Sequence, residues 1–410
     1  MKTVIDLFAG AGGESCGIHA AFERMGEDIR LFAVNHWQVA CETHALNFPA
    51  DECICQDIQT VIPTSLVKPG ESVELFWASP ECTHFSTARG GKPMDDQSRC
   101  TPFDIIRWLT MLDVRRVIIE NVAEFETWGP LGKDCRPIKE QKGSFFSMFI
   151  SAIRNIGYMV DWKICNAADF GAPTTRRRLF IQGVKKGSGK TICWPERLYA
   201  ENPDGDLFGT DLKPWAPASS IIDWSIPCQP IDDRKRPLSP NTMKRIMNGI
   251  RRYWGEAAEP FLVRYNGGDH RYHSIHDPVP TLDCSNRYGL VRPLIAEMYG
   301  TGGCRNIDKP LSTISCSGAH HALVEPLVME YYGNGQCQPV SKPLRTVTCK
   351  DRFALLKPED CRIGFRMLQP HELAAAQSFP DWYRFAGTKA DTVKQIGNAV
   401  CPKMAEALVG

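Results

Sequence analysis

The sequence predicts an α/β protein: a mostly parallel sheet covered by helices on both faces, joined to a smaller β-rich domain that carries repeats. Three observations predict it. Short apolar runs alternate with amphipathic stretches from residue 1 to about residue 185. The residues with chemical potential fall at, or just past, the C-terminal ends of those runs, the edge at which open α/β sheets bind ligands. Past residue 190 the alternation gives way to a Pro-, Asp- and Trp-rich crossing and then to a recurring phrase.

In order, a strand is expected over Thr3 to Phe8 and a helix over Gly12 to Met25. A strand over Leu31 to Val34 and a helix over Val39 to Leu46 follow, and then an irregular stretch. The run Leu75-Phe76-Trp77-Ala78 is a buried strand stopped by Pro80, and Phe103 to Leu112 is a helix. The strand Arg116 to Ile119 delivers Glu120 as it ends. A helix over Ser144 to Ile156 and strands over Met159 to Lys163 and Leu179 to Val184 complete the set. The expected domains are 1–190, 191–365 and a return at 366–410.

The chain of 410 residues is long enough for two domains, and 43% hydrophobic with 23% charged residues is ordinary for a globular protein. A net charge of +1 excludes a whole-molecule basic field. Local basic clusters remain, at Arg176-Arg177-Arg178 and around Arg234-Lys235-Arg236. Seventeen cysteines without a Cys-x-x-Cys pair, behind an N-terminus that runs directly into a strand, lead us to expect free thiols in a reducing cytoplasm. No long apolar run suggests a membrane span.

Three stretches carry chemistry. Pro80-Glu81-Cys82-Thr83-His84 places a sulfur nucleophile at a strand end, and Glu120-Asn121 places a carboxyl at the next. Together they are the minimum for covalent catalysis with proton transfer. Asp6-Leu7-Phe8-Ala9-Gly10-Ala11-Gly12-Gly13 is a glycine-rich turn opening a helix, where a ligand can approach main-chain atoms. Its spacing is neither that of the dinucleotide fingerprint nor that of a P-loop.

Residues 259 to 358 contain a phrase three times: Pro278-Val279-Pro280-Thr281-Leu282-Asp283-Cys284, Pro310-Leu311-Ser312-Thr313-Ile314-Ser315-Cys316 and Pro343-Leu344-Arg345-Thr346-Val347-Thr348-Cys349. A period near 33 residues suggests stacked β-units sharing one core. The single thiols Cys284, Cys316 and Cys349 read as packing residues, so no metal is expected.

These blocks, in this order, resemble the cytosine-C5 DNA methyltransferases. The glycine turn, Pro80-Glu81-Cys82 and Glu120-Asn121-Val122 match that family's blocks. So do Pro173 to Arg178, the stretch Arg366 to Pro380, and the closing Gln395-Ile396-Gly397-Asn398-Ala399-Val400. The resemblance implies the Rossmann-like fold of S-adenosylmethionine-dependent methyltransferases, with residues 191–365 as target-recognition domain. It implies S-adenosylmethionine as cofactor at Asp6, Phe8, Ala9, Gly10, Gly12, Gly13, His36, Asp57, Ile58, Pro80, Asn398 and Val400. It also implies Cys82 as nucleophile, Glu120 on the base's N3, Arg178 on its O2 side, and Arg176 supporting the loop or a phosphate. Double-stranded DNA with a flipped cytosine would be the substrate, the protein a monomer, and a restriction endonuclease its cognate partner in a restriction-modification system. Glu81, Thr83, His36 and Thr174 depart from the family pattern at the proline, glutamine, acidic and glutamine positions respectively. A transferase acting on tRNA and a catalytically silent DNA-binding protein remain alternatives at this point.

Overall fold

The computed structural model describes residues 1–80, 101–130, 132, 138–203, 211–227, 229–230, 235, 237, 261–264, 272–282, 288–292, 294–297, 304–306, 321–323, 327–330, 337–339, 353–356 and 364–410. Cys82 and its loop, and the second and third copies of the repeated phrase, lie outside them. So do the three repeat cysteines.

Strands β1 (Lys2–Leu7), β2 (Ile29–Asn35), β3 (Glu52–Cys55), β4 (Val73–Ala78), β5 (Val114–Asn121), β6 (Tyr158–Asn166) and β7 (Arg177–Lys185) form one sheet in the order β3-β2-β1-β4-β5-β7-β6. The first five run parallel; β7 is antiparallel to both β5 and β6. Its helices are α1 (Gly13–Arg24), α2 (Gln38–Asn47), α3 (Thr101–Met111), α4 (Ser144–Asn155), α5 (Pro370–Ala376), α6 (Lys389–Asn398) and α7 (Pro402–Val409). β3 is a strand where an irregular stretch is expected from the sequence. It lies at the sheet's edge, is four residues long and has none of them buried, so no long apolar run marks it. The late block Arg366 to Pro380 is helical only from Pro370, because Arg366 lies in a strand, Gly364–Met367.

Side-chain alternation sorts the core. Ile5, Leu7, Phe76, Val117 and Ile119 face α3 and α4, meeting Ile105, Trp108, Phe149 and Ile153. Val4, Leu75, Trp77 and Ile118 face α1 and α7, meeting Ile18, Phe22, Met404 and Leu408. All six residues of β4 are buried, as a central parallel strand requires. Each such side chain contributes about 1.5–3 kcal/mol of hydrophobic stabilisation. α7 closes the sheet from 290 residues away in the chain: Arg116 Nη1 donates to Val409 O at 2.7 Å, and Nη2 donates to Leu408 O, meeting the unsatisfied carbonyls of the helix end.

Two compact units result. Unit 1 is Met1–Ile221, Pro278–Ser285 and Pro370–Gly410; unit 2 is Ile222–Asp277 and Asn286–Gln369. These bounds differ from the expected 190 and 366. Residues 191–221 belong with unit 1 because Trp215 Nε1 donates to Asp169 Oδ1 at 3.0 Å and Gln182 Nε2 to Cys193 O at 2.9 Å. The return starts at 370 because Gly364–Met367 pairs with Tyr288–Arg292 inside unit 2.

Within unit 2, three strand sets pair in the same way. Phe261–Arg264 lies between Tyr272–Ser274 and Tyr288–Arg292, Leu294–Glu297 between Cys304–Asn306 and His321–Leu323, and Leu327–Glu330 between Cys337–Pro339 and Phe353–Leu356, all antiparallel. Leu262, Ile295 and Val328 stand opposite Leu290, Leu323 and Leu355. Among the described residues no helix is long and apolar enough to cross a membrane.

Candidate active site

The C-terminal ends of β1, β4 and β5 lie side by side, with Leu7 opposite Ala78 and Ala78 opposite Ile119. Ser79 N–H donates to Leu7 O at 3.1 Å, so the chain leaves β4 against the glycine turn. Asn121 Nδ2 reaches Pro80 O at 3.5 Å, while its Oδ1 accepts from Val122 N–H at 2.9 Å. Asn121 is fully buried, and it ties the Glu120 strand to the last described residue before Cys82. Its motif position marked Asn121 in the sequence, but this tether could not be read there.

Glu120 is 7% exposed at the end of β5, and Arg178 Nε stands 3.0 Å from its Oε1. The antiparallel β7 makes this possible, since Glu120 lies opposite Phe180 and brings residue 178 to the same edge. Arg178 also donates from Nη1 to Arg177 O at 2.8 Å. Arg176, grouped with it in the sequence, is placed elsewhere: it is 2% exposed and donates to Leu282 O at 3.2 Å, Gly397 O at 2.9 Å and Asn398 O at 3.4 Å. Arg176 is thus buried among main-chain carbonyls. Of the two expected roles, supporting the loop is the one its contacts suit.

The glycine turn is held in positive φ at Phe8 (62°), Gly10 (49°) and Gly12 (75°). Phe8, lacking glycine's freedom, is a strained position of the kind found at ligand sites. Gly12 N–H donates to Ala9 O at 2.7 Å, and a Cβ on Gly12 would stand 2.9 Å from Tyr383 Oη. Tyr383 O–H in turn donates to Ala11 O, a contact from 372 residues away that no local pattern signals. Among the described residues, a Cβ at Gly10 would meet only Phe8 O, at 3.8 Å, so those residues leave the front of the turn open. Asp6 is fully buried; its Oδ2 accepts from Ser15 Oγ at 2.5 Å, and its Oδ1 has no hydrogen-bond partner. Burial holds the Asp6 and Glu14 carboxyls well above the usual range, Glu14 despite hydrogen bonds from main-chain N–H groups.

The remaining expected residues divide. Ala9, Ile58, Pro80 and Val400 are buried, and Gly13 packs against Val400 O. His36 follows β2, and Asp57 follows β3 as an Asx turn, its Oδ1 accepting from Gln59 N–H at 2.9 Å. Asn398 ends α6 with its side chain exposed. Behind the turn, His44 Nε2 lies 3.2 Å from Asp51 Oδ2 and His19 Nε2 2.9 Å from the same oxygen.

Burial lowers the His44 pKa to about 4, against 6.5 for an ordinary histidine. The unfolded chain therefore binds the extra proton between those values, and His44 removes stability as pH falls through that window. The net effect, with the opposing attraction of Asp51 already included, is of order 3 kcal/mol. Asp6 and Glu14, with raised pKa values, act in the opposite sense. Urea unfolding at pH 6.5 and 4.5 is expected to show a steeper loss in the wild type than in His44→Gln. Equal slopes in the two proteins would refute this role for His44.

A family model described as C-5 cytosine-specific DNA methylase matches residues 2–410. The type II methyltransferase M.AquIA of Picosynechococcus sp. is 31% identical over 255 residues, covering 60% of this chain and 98% of that protein. M1.HphI of Haemophilus parahaemolyticus, also a type II methyltransferase, is 28% identical over 416 residues, 99% of this chain and 85% of its own. Among solved structures, a DNMT2 variant of Spodoptera frugiperda superposes with a TM-score of 0.53 at 16% identity, covering 99% of this chain and 98% of that one. An E. coli prophage protein described as a DNA modification methyltransferase gives 0.53 at 20%, covering 100% and 97%. At those identities the two structures show a shared fold alone.

Proposed function

The chain belongs to the C-5 cytosine-specific DNA methylases, and on that premise we propose how its own residues carry out the transfer and on what DNA. The observation that carries the proposal is the Glu120–Arg178 pair at 3.0 Å, nearly buried at the sheet edge where the Pro80 turn and the glycine turn meet.

Cys82, two residues beyond Pro80, adds as thiolate to C6 of cytosine. Glu120 holds the ring at N3 and supplies the proton there as electrons move into the ring, which makes C5 nucleophilic. Arg178 keeps the carboxylate oriented and offers its remaining donors to the O2 side of the base. After methyl transfer, loss of the C5 proton and elimination of the Cys82 sulfur regenerate the enzyme. Stacked bases shield C5 and C6, so the cytosine has to leave the duplex to reach this pocket.

S-adenosylmethionine, when bound, supplies an electrophilic methyl group on its sulfonium sulfur. What supports it here is the open front of the turn at Gly10 and the unpartnered Asp6 Oδ1. Phe8, Ala9, Gly10, Gly12 and Gly13 would hold it, with His36, Asp57, Ile58, Pro80, Asn398 and Val400 around them.

The strand sets of unit 2 present the surface that reads a short duplex sequence. In a bacterial host, the modification would protect that sequence from a cognate endonuclease, as the type II names of the relatives suggest. Base-resolution cytosine-methylation sequencing of DNA from a methylation-free host expressing the chain tests this. The expected result is 5-methylcytosine confined to one short motif and absent from an empty-vector control. An unmethylated genome alongside abundant folded protein would overturn it.

A further inference from the structure

Between Asp277 and Asn286, both in unit 2, the chain enters unit 1 for the eight residues Pro278–Ser285 and then leaves. These residues open the first copy of the repeated phrase, and Pro278 to Leu282 are described. Val279 N–H donates to Pro173 O at 2.8 Å, and Thr175 N–H donates to Val279 O at 2.8 Å. Thr174 Oγ1 reaches Pro280 O at 3.4 Å, and Thr281 Oγ1 reaches Thr175 O at 3.3 Å. Arg176 then takes Leu282 O at 3.2 Å together with the Gly397 and Asn398 carbonyls. Thr174 and Val279 have no solvent exposure, and Leu282 is 4% exposed.

Reading a base edge needs side chains free to project into a groove. Val279 and Leu282 are buried instead. The bonds use only the main chain of 278–282 and the Thr281 hydroxyl. Proline at the first position, threonine at the fourth and cysteine at the seventh are the residues that all three copies share, as Pro278, Pro310 and Pro343, as Thr281, Thr313 and Thr346, and as Cys284, Cys316 and Cys349. The one side-chain hydroxyl that bonds, on Thr281, stands at a position all three copies share, whereas the variable positions 279, 280 and 282 bond through main-chain atoms alone.

We infer that Pro278–Leu282 is a strap that locks the loop Pro173–Arg176, and that Arg176 and Thr281 are positioning residues for the Arg178–Glu120 pair two residues further on. The recognition segment of the chain thereby completes the catalytic unit. This rests on the activity proposed above.

The test uses the full chain. The triple exchange Val279→Leu, Pro280→Ser, Leu282→Ile installs the first five residues of the second copy's phrase in the first. The methylated sequence is expected to stay the same, with kcat within about threefold. Thr281→Val and Arg176→Met are expected to lower kcat about tenfold, on the scale at which small misplacements act on catalysis. Thr281→Val should leave KM for S-adenosylmethionine unchanged, and Arg176→Lys should recover part of the loss. A changed target sequence in the exchange variant, or full kcat in Thr281→Val and Arg176→Met, would overturn the strap. Hydrogen–deuterium exchange provides a readout independent of activity. Slow exchange at the Thr175 and Val279 amides, faster in Thr281→Val, supports the strap even if the wild type methylates nothing, and fast exchange in the wild type refutes it. A silent wild type with protected amides is then a failure of the activity reading alone.

Discussion

Cys82→Ser is expected to remove at least three orders of magnitude from kcat and Glu120→Gln about two to four, both leaving S-adenosylmethionine and DNA binding intact. Serine keeps the size of Cys82 but not its thiolate, so addition at C6 loses its nucleophile. Glutamine keeps the shape of Glu120 but cannot supply or take up a proton, and a positioned acid contributes about 10²–10⁴-fold. Glu120→Gln has a second consequence that Cys82→Ser lacks. The side chains of Glu120 and Arg178 are only 9% and 15% exposed, so removing the carboxylate strands a mostly buried guanidinium. That costs about 1–3 kcal/mol, well below the limit for fully buried pairs because some solvent reaches both groups. Single-turnover transfer of labelled methyl groups, beside a melting curve for each variant, separates the effects. Glu120→Gln turnover within tenfold of wild type would show that the carboxylate is not in the reaction.

Gly17→Ala is expected to be among the most damaging small substitutions in the catalytic unit. α1 and α7 approach so closely that a Cβ at Gly17 would lie 2.4 Å from Pro402 O, 2.6 Å from Ala405 Cβ and 2.6 Å from Glu406 N. Two of these three atoms are main chain, which no rotamer change can move aside. Alanine favours helices by about 1 kcal/mol over glycine, but overpacking against fixed atoms costs about 3 kcal/mol or more. The balance is a loss of stability and a fall in melting temperature of several degrees. Gly13→Ala should act in the same direction through Val400 O, at 2.4 Å. Because α7 carries the C-terminus back onto the sheet, Gly17→Ala should also weaken S-adenosylmethionine binding through displacement of Val400. Calorimetry giving a wild-type melting temperature for Gly17→Ala would refute this account of the interface.

Much of the catalytic unit was legible in the amino-acid order because its signals are local. β4 reads Val-Glu-Leu-Phe-Trp-Ala and is buried at every residue, and the amphipathic runs that became α3 and α4 cover it. The strand ends that carry Asp6, Pro80 and Glu120 follow from where those runs stop. Exposed β3 escaped notice for the opposite reason, and no apolar pattern distinguishes an antiparallel β7 from a parallel one. That reversal matters, because it is what delivers Arg178 to Glu120.

The sequence by itself determined the α/β alternation, the chemistry at the strand ends, the repeated phrase, and the family to which those blocks belong. Periodicity, turn residues and motif order act over a few residues and survive in the linear chain. Only the tertiary structure decided that Arg176 is a buried strut and Arg178 the partner of Glu120, although the two stand two positions apart in one basic cluster. Only it decided that Tyr383 closes the glycine turn, and that one copy of the repeat lies in the catalytic unit. The carbonyls that Arg176 binds are 106, 221 and 222 residues away. A hydrogen bond across such a separation depends on which main-chain groups the finished fold leaves unpaired, and that is settled only when the segments meet.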